Sequence, residues 1–182
     1  MDAETSVSAD ALARLRAAID DATPPGGRAV VLIDGRSGSG KSTLADALVS
    51  AWPEAQLVRL DDVYPGWDGL EAGSLRVAER MLAPSTPRWL AWDWLTDTPG
   101  EWHELDANLP LIIEGSGTLS AANRALASFG IWVELDAATR KRRALARDGE
   151  TYAPHWDRWA AQEQLFIARE QPKQRADLVV PG

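Results

Sequence analysis

Short apolar runs alternate with amphipathic stretches along this chain. Residues 8–21 (SADALARLRAAIDD) carry Leu12, Leu15 and Ile19 at helical spacing, and Ser8 or Asp10 stands where a cap belongs. TPPGGR ends that helix at 23–28. AVVLID (29–34) is short, apolar and rich in β-branched residues, the pattern of a strand buried on both faces. STLADALVSAW returns to helical spacing as far as Trp52, and AQLVRL (55–60) reads as a second buried strand. DDVYPGWDG is loop by its Asp, Pro and Gly content, and LEAGSLRVAERMLAP (70–84) is helical until Pro84 stops it.

Residues 85–108 have the least regular pattern. Trp89, Trp92, Trp94 and Trp102, interleaved with Pro87 and Pro99, predict two short extended segments around 89–95 and 101–105. LPLIIEG (109–115) is a buried strand, SAANRALAS a helix, IWVELD (131–136) a strand and ATRKRRALARD a strongly basic helix. GETYAP interrupts, HWDRWAAQEQLFIAREQ (155–171) is helical, and ADLVV (176–180) is a last strand ended by Pro181. Strands that alternate with helices make βαβ units with right-handed crossovers. They predict an α/β fold whose mainly parallel sheet is covered on both faces. Ligands of such sheets bind beyond the carboxyl ends of the strands, so the residues just after each strand are the candidates for chemistry.

Composition narrows the class. At 182 residues, with no repeat, low-complexity tract or linker, the chain is expected to form a single domain over 1–182. A net charge of −8 and a pI of about 4.8 repel nucleic acid and anionic membrane, so neither is an expected partner. Basic residues that matter should gather in a pocket. The absence of cysteine excludes disulfides and thiolate metal sites. MDAETSVSAD lacks the pattern of a signal peptide, and no run approaches the roughly 18 apolar residues of a membrane span. A cytoplasmic monomer or homodimer is the expectation.

After the first strand comes Gly35-Arg36-Ser37-Gly38-Ser39-Gly40-Lys41-Ser42, which fits G-x-x-x-x-G-K-[ST]. It lies between a predicted strand and a predicted helix, the context a phosphate-binding P-loop requires. Its glycines let the backbone curl its N–H groups inward onto phosphate oxygens, and the helix N-terminus adds partial positive charge. Gly35, Ser37, Gly38, Ser39, Gly40, Lys41, Ser42 and Thr43 are thus candidate ATP-binding residues, with Lys41 on the β- and γ-phosphates and Ser42 on Mg2+.

Three further features follow strand ends or sit near them. Of Asp61 and Asp62, one can orient or deprotonate an acceptor hydroxyl and help hold Mg2+, and the other can open the loop as an Asx turn. Asp61 is the preferred base. Glu114 ends LPLIIE, where a carboxylate serves the metal or the attacking group, or is simply a solvated strand-end acid. Glu in place of Asp there favours a kinase over a motor or switch. Arg140, Arg143 and Arg147 share one helix face beside Lys141 and Arg142. They either pair with Asp136, Asp148 or Glu150, or form a lid over ATP that stabilises charge on the transferring phosphoryl group.

Taken in order, these pieces resemble the uridine kinase-like branch of P-loop kinases. GRSGSGKST matches that family's phosphate loop, LDDVY its L-D-S-F-Y and IIEG its V-x-E-G. DAATRKRRALARD resembles its lid helix D-x-x-x-R-x-x-R-x-x-x-R-D, and RADLVVPG its A-D-x-V-I-P-x-G. The resemblance implies a three-layer α/β/α fold with a five-stranded sheet in the order 2-3-1-4-5 and a helical lid at about 140–154. It implies Lys41, Asp61, Glu114 and Arg143 as catalytic residues, and Ser42, Asp61 and Glu114 around Mg2+. Arg140, Arg143, Arg147 and Asp177 would meet ATP, with Asp177 near the adenine. The substrate side departs from the family: Trp92-Asp93-Trp94 stands nearest to its P-x-Y-D-F, and the His and Arg residues that follow there are missing.

Candidate acceptor contacts are Asp62, Tyr64, Trp67 and Asp93. Trp92 and Trp94 alternate with Asp93, so either the tryptophans or Asp93 face the pocket. Trp156 and Trp159 are spaced to dock the last long helix. The expected function is transfer of a phosphoryl group from Mg-ATP to a hydroxyl of an unidentified small molecule. A nucleoside monophosphate kinase would need Arg76, Arg80 and Arg88 to converge on the acceptor. A regulatory nucleotide-binding protein would bind ATP with only slow hydrolysis.

Overall fold

The computed structural model describes residues 8–182. In chain order the elements are α1 (Ala9–Ala22), β1 (Val30–Asp34), α2 (Lys41–Ser50), β2 (Gln56–Arg59), α3 (Leu70–Arg76), β3 (Arg88–Asp93) and β4 (Thr98–Glu104). They continue as β5 (Leu111–Glu114), α4 (Ala121–Arg124), β6 (Phe129–Glu134), α5 (Ala137–Tyr152), α6 (Trp156–Glu170), α7 (Pro172–Arg175) and β7 (Leu178–Pro181).

Five strands make one sheet in the order β2-β5-β1-β6-β7, with every pairing parallel. β3 and β4 form a separate antiparallel hairpin. Counted without the hairpin, the order is 2-3-1-4-5. Side chains alternate along β1. Val30 and Leu32 pack with Leu70, Val77, Trp159 and Phe166 on one face, and Val31 and Ile33 pack with Leu15, Ile19, Leu44 and Leu48 on the other. β5 repeats the division with Leu111 and Ile113 against Ile112. Burial on both faces is why these strands read as unbroken apolar runs, and each such side chain contributes about 1.5–3 kcal/mol.

Local chemistry sets the ends of the elements. Ser8 caps α1 by accepting from Ala11 N–H at 3.2 Å. The helix predicted over 70–84 widens into a π-helical turn at Val77–Met81. There the Asn123 side-chain oxygen takes the Ala78 N–H at 3.1 Å, so a side chain has entered the helical ladder. The helix expected from SAANRALAS shrinks to Ala121–Arg124. Asp136 caps α5 by accepting from Thr139 N–H at 2.9 Å. α5 outlasts the expected Asp148, but Gly149 breaks its regularity at φ 53°, ψ −134°. Among the described residues, no helix is long and apolar enough to cross a membrane.

Candidate active site

The phosphate loop begins where β1 ends at Asp34. Gly38 and Gly40 hold φ values of +78° and +100°, which side-chain-bearing residues rarely adopt. A Cβ on Gly38 would also lie 2.2 Å from the Arg140 carbonyl oxygen, so the start of α5 rests directly on the loop. Gly40 begins α2 without a side-chain cap, whereas Ser8, Ser120 and Asp136 cap α1, α4 and α5. The first N–H groups of α2 are thereby left for an external acceptor. Lys41 Nζ, at the same end, donates to the Arg36 carbonyl at 3.3 Å, and the buried Ser39 hydroxyl has no partner among the described residues. This donor set fits a phosphate group.

Three strand ends bring carboxylates to that edge. Ser42 Oγ donates to Glu114 Oε1 at 2.9 Å, and Arg59 Nε lies 3.7 Å from the same oxygen. Burial pushes the Glu114 carboxyl up. Nearby Asp61 adds to the rise, while Lys41, Ser42 and Arg59 oppose it. Lys41, Ser42, Asp61 and Glu114 are therefore one electrostatic group. Arg147 joins them from α5. Its guanidinium binds Asp148 at 2.8 and 2.7 Å, and its pKa is raised first by that bond and further by the charges of Asp61 and Glu114. Among the described residues no three His, Cys, Asp or Glu side chains converge on a metal position. Mg2+ commonly needs only one or two carboxylates together with phosphate oxygens and water, so the Ser42–Glu114–Asp61 set fits it.

Other expected residues stand elsewhere. Arg140 is buried and donates to the Leu135 and Ser37 carbonyls, both at 3.1 Å. It fastens α5 to the phosphate loop, which corrects its expected role as a free phosphate contact. Arg143 is exposed and makes no hydrogen bond or ion pair among the described residues. Tyr64 is only 1 % exposed and donates its hydroxyl to the Ser116 carbonyl at 2.7 Å, so it is a core residue and no acceptor contact. Asp93 accepts from the Leu95 and Thr96 N–H groups at 2.9 and 3.3 Å. Its carboxylate closes the hairpin turn and does not hold an acceptor.

Asp177 is also corrected. It precedes β7 at the level of Gly130, accepting from the Gly130 N–H at 2.7 Å and, through both of its oxygens, from Arg124 Nη2 at 2.8 and 2.6 Å. The carboxyl end of β7 is what reaches the phosphate loop, with Gly182 beside Ser39 and Gly40.

Trp67 is half-buried and stacks on His155, with ring centroids 4.2 Å apart, and on Tyr152 at 5.5 Å. Trp94 packs on Trp67 at 5.0 Å and donates its indole N–H to the Asp61 carbonyl at 2.8 Å. The tryptophan side of that stretch, not Asp93, therefore turns toward Asp61. Burial raises the Asp62 pKa, with the neighbouring Asp61 adding to the rise.

Two buried carboxylates escaped the sequence reading. Asp34 accepts from the N–H groups of Gly35, Gly117 and Leu119 at 2.7, 3.1 and 2.8 Å. Burial pushes its carboxyl up to about 6 despite those bonds and the nearby Lys41. Glu163 accepts from Ser37 N–H at 2.6 Å, Ser116 Oγ at 3.0 Å and Arg36 Nε at 3.0 Å. It was legible as a charge on the apolar stripe of α6, in line with Trp156, Trp159 and Phe166.

Sheet order and phosphate loop together define an α/β P-loop fold. No protein-family model matches the sequence, and no curated protein matches it. Solved structures share the fold. A possible uridine kinase from Bacillus stearothermophilus superposes with a TM-score of 0.60 and 22% identity, covering 91% of this chain and 98% of that one. A protein named as a fructose transport system kinase, from Silicibacter sp. TM1040, does so with a TM-score of 0.60 and 22% identity, covering 93% and 98%.

Proposed function

We propose that this chain is a Mg-ATP-dependent kinase that phosphorylates a hydroxyl of a small molecule, in the manner of uridine kinase-like enzymes. The observation that carries the reading is the Ser42–Glu114 hydrogen bond at 2.9 Å, made beside Lys41 and within the field of Asp61. A phosphate loop alone serves many proteins. One whose metal-binding hydroxyl meets a strand-end Glu, with a second carboxylate across the sheet edge, suits phosphoryl transfer to an alcohol.

Mg-ATP, when bound, supplies the transferable phosphoryl group. The loop N–H groups and Lys41 neutralise phosphate charge. Ser42 and Glu114 would hold Mg2+ with help from Asp61. Asp61 takes the proton of the acceptor hydroxyl, and Trp94 fixes its backbone through the Asp61 carbonyl. The segment beyond the Arg140 anchor, through residue 154, acts as the lid, hinged at Gly149 and bringing Arg147 toward Asp61 and Glu114. Arg143 closes on the phosphates with it. The stacked Trp67, Tyr152 and His155 tie the lid end to the loop that follows Asp61.

Lys41→Ala tests the reading. ADP release from Mg-ATP, measured with pools of hydroxylated metabolites, should fall by about 100-fold or more, with circular dichroism unchanged. Turnover at the wild-type rate in that variant refutes the site.

A further inference from the structure

A second concave site lies beside the turn that carries Asp61, with Val63 of that turn in its wall. It is a cleft of about 200 Å³ between the π-helical turn after α3 and the open end of the β3–β4 hairpin, lined by Val63, Arg76, Arg80, Trp89 and Trp102 among others. Arg88 adds its guanidinium 4.3 Å from the Trp102 ring centroid. A cavity of about 150 Å³ holds one benzene ring, so this space admits a single planar body.

Charge decides what that body carries. The chain has 27 acidic and 19 basic residues; seven arginines pair with carboxylates, and those that do not, such as Arg14 and Arg143, lie on other parts of the chain, apart from the three that meet at this cleft. Among the described residues, no carboxylate lies within 4.0 Å of the cations of Arg76, Arg80 or Arg88. Glu104 stands opposite Arg88 in the hairpin register yet makes no ion pair with it. Arg76 is partly buried, and burial lowers its pKa. Trp89 stacks on His103 with ring centroids 4.2 Å apart, so the two indoles offer the cleft edges and part-covered rings; three guanidiniums without a carboxylate partner set among them suit an anion on a flat apolar frame.

The cleft is also tied to the chemistry. Arg76 Nη1 donates to the Val63 carbonyl at 2.7 Å, two residues beyond Asp61, and the same hairpin sends Trp94 to the Asp61 carbonyl. We propose that this cleft binds the anionic end of the acceptor, a hydroxyl compound bearing a phosphate or carboxylate on a planar apolar body. That it is the acceptor rests on the kinase reading above; that the cleft binds such an anion does not.

Calorimetric titration without nucleotide tests it, using phenyl phosphate, phenylacetate and benzyl alcohol as probes on the wild type and on Arg80→Ala, Arg88→Ala and Lys41→Ala. Among the described residues the Arg80 side chain is exposed and makes no hydrogen bond or ion pair, so its truncation leaves the fold in place. At least one anionic probe should bind the wild type about tenfold or more tighter than benzyl alcohol, and lose about tenfold in Arg80→Ala and Arg88→Ala. It should bind Lys41→Ala as it binds the wild type. Preference for phenyl phosphate assigns a phosphorylated acceptor, and preference for phenylacetate a carboxylated one. Equal binding of all three probes overturns the proposal, as does binding lost only in Lys41→Ala, which places the anion on the phosphate loop. Because this readout needs no turnover, its failure is separable from failure of the kinase reading, which Lys41→Ala tests through ADP release.

Discussion

Replacing Glu163 by Ala removes the carboxylate that pins the phosphate loop to α6. In the wild type this group is 3 % exposed and takes three donors: the Ser37 N–H, the Ser116 hydroxyl and Arg36. The Ser37 N–H would be left buried without an acceptor, at a cost of about 1–3 kcal/mol. Ser116 keeps its second bond, to the Gly35 carbonyl at 3.0 Å, and so loses less. Arg36 loses its ion-pair partner, but its side chain is 29% exposed and water takes part of its charge. With the cavity added, the total comes to about 3–5 kcal/mol, the range found when one partner of a buried pair is removed. Glu163→Gln keeps an oxygen for Ser37 and Ser116 and turns an amide toward Arg36, so it should lose only about 1–2 kcal/mol. Urea denaturation read by circular dichroism gives both values. Equal losses in the two variants, both under about 1 kcal/mol, would show that Glu163 does not hold the loop.

Asp34 gives the chain a pH signature. Its carboxyl is raised from 3.8 to about 6, chiefly by burial, so the fold disfavours its ionised form. The stability it contributes is full below about pH 4 and is lost as pH rises through 6, a change of about 3 kcal/mol. Wild-type stability measured relative to Asp34→Asn should therefore fall by about that much between pH 4 and 7, and a flat difference contradicts the assignment. Gly38→Ala forces a Cβ to 2.2 Å from the Arg140 carbonyl at φ +78°, so it should cost about 2–4 kcal/mol and speed hydrogen exchange in α5. Unchanged exchange there would mean that α5 does not rest on the loop.

The sequence by itself determined the fold class and the phosphate loop. Both are written in short-range patterns. Strands buried on two faces must be unbroken apolar runs, as in AVVLID and LPLIIE, and a loop that curls its N–H groups inward must spend glycines at fixed spacing. The place of Glu114 at a strand end was legible for the same reason, since chain order alone puts it after the buried run LPLII.

Only the tertiary structure decided which polar groups were already engaged. Tyr64 looks like a substrate contact until Ser116 is found accepting its hydroxyl 52 residues away. Asp177 looks like an adenine neighbour until Arg124 and Gly130 are seen to hold it before β7, at the opposite end of that strand from the phosphate loop. The loop contacts of Glu163 and the anchoring bonds of Arg140 were hidden in the opposite way. Their partners lie on other elements, and no local pattern reports a contact made across 126 residues of chain, as between Ser37 and Glu163. Propensity and periodicity act over one or two turns, whereas desolvation and charge pairing act between whatever surfaces packing brings together.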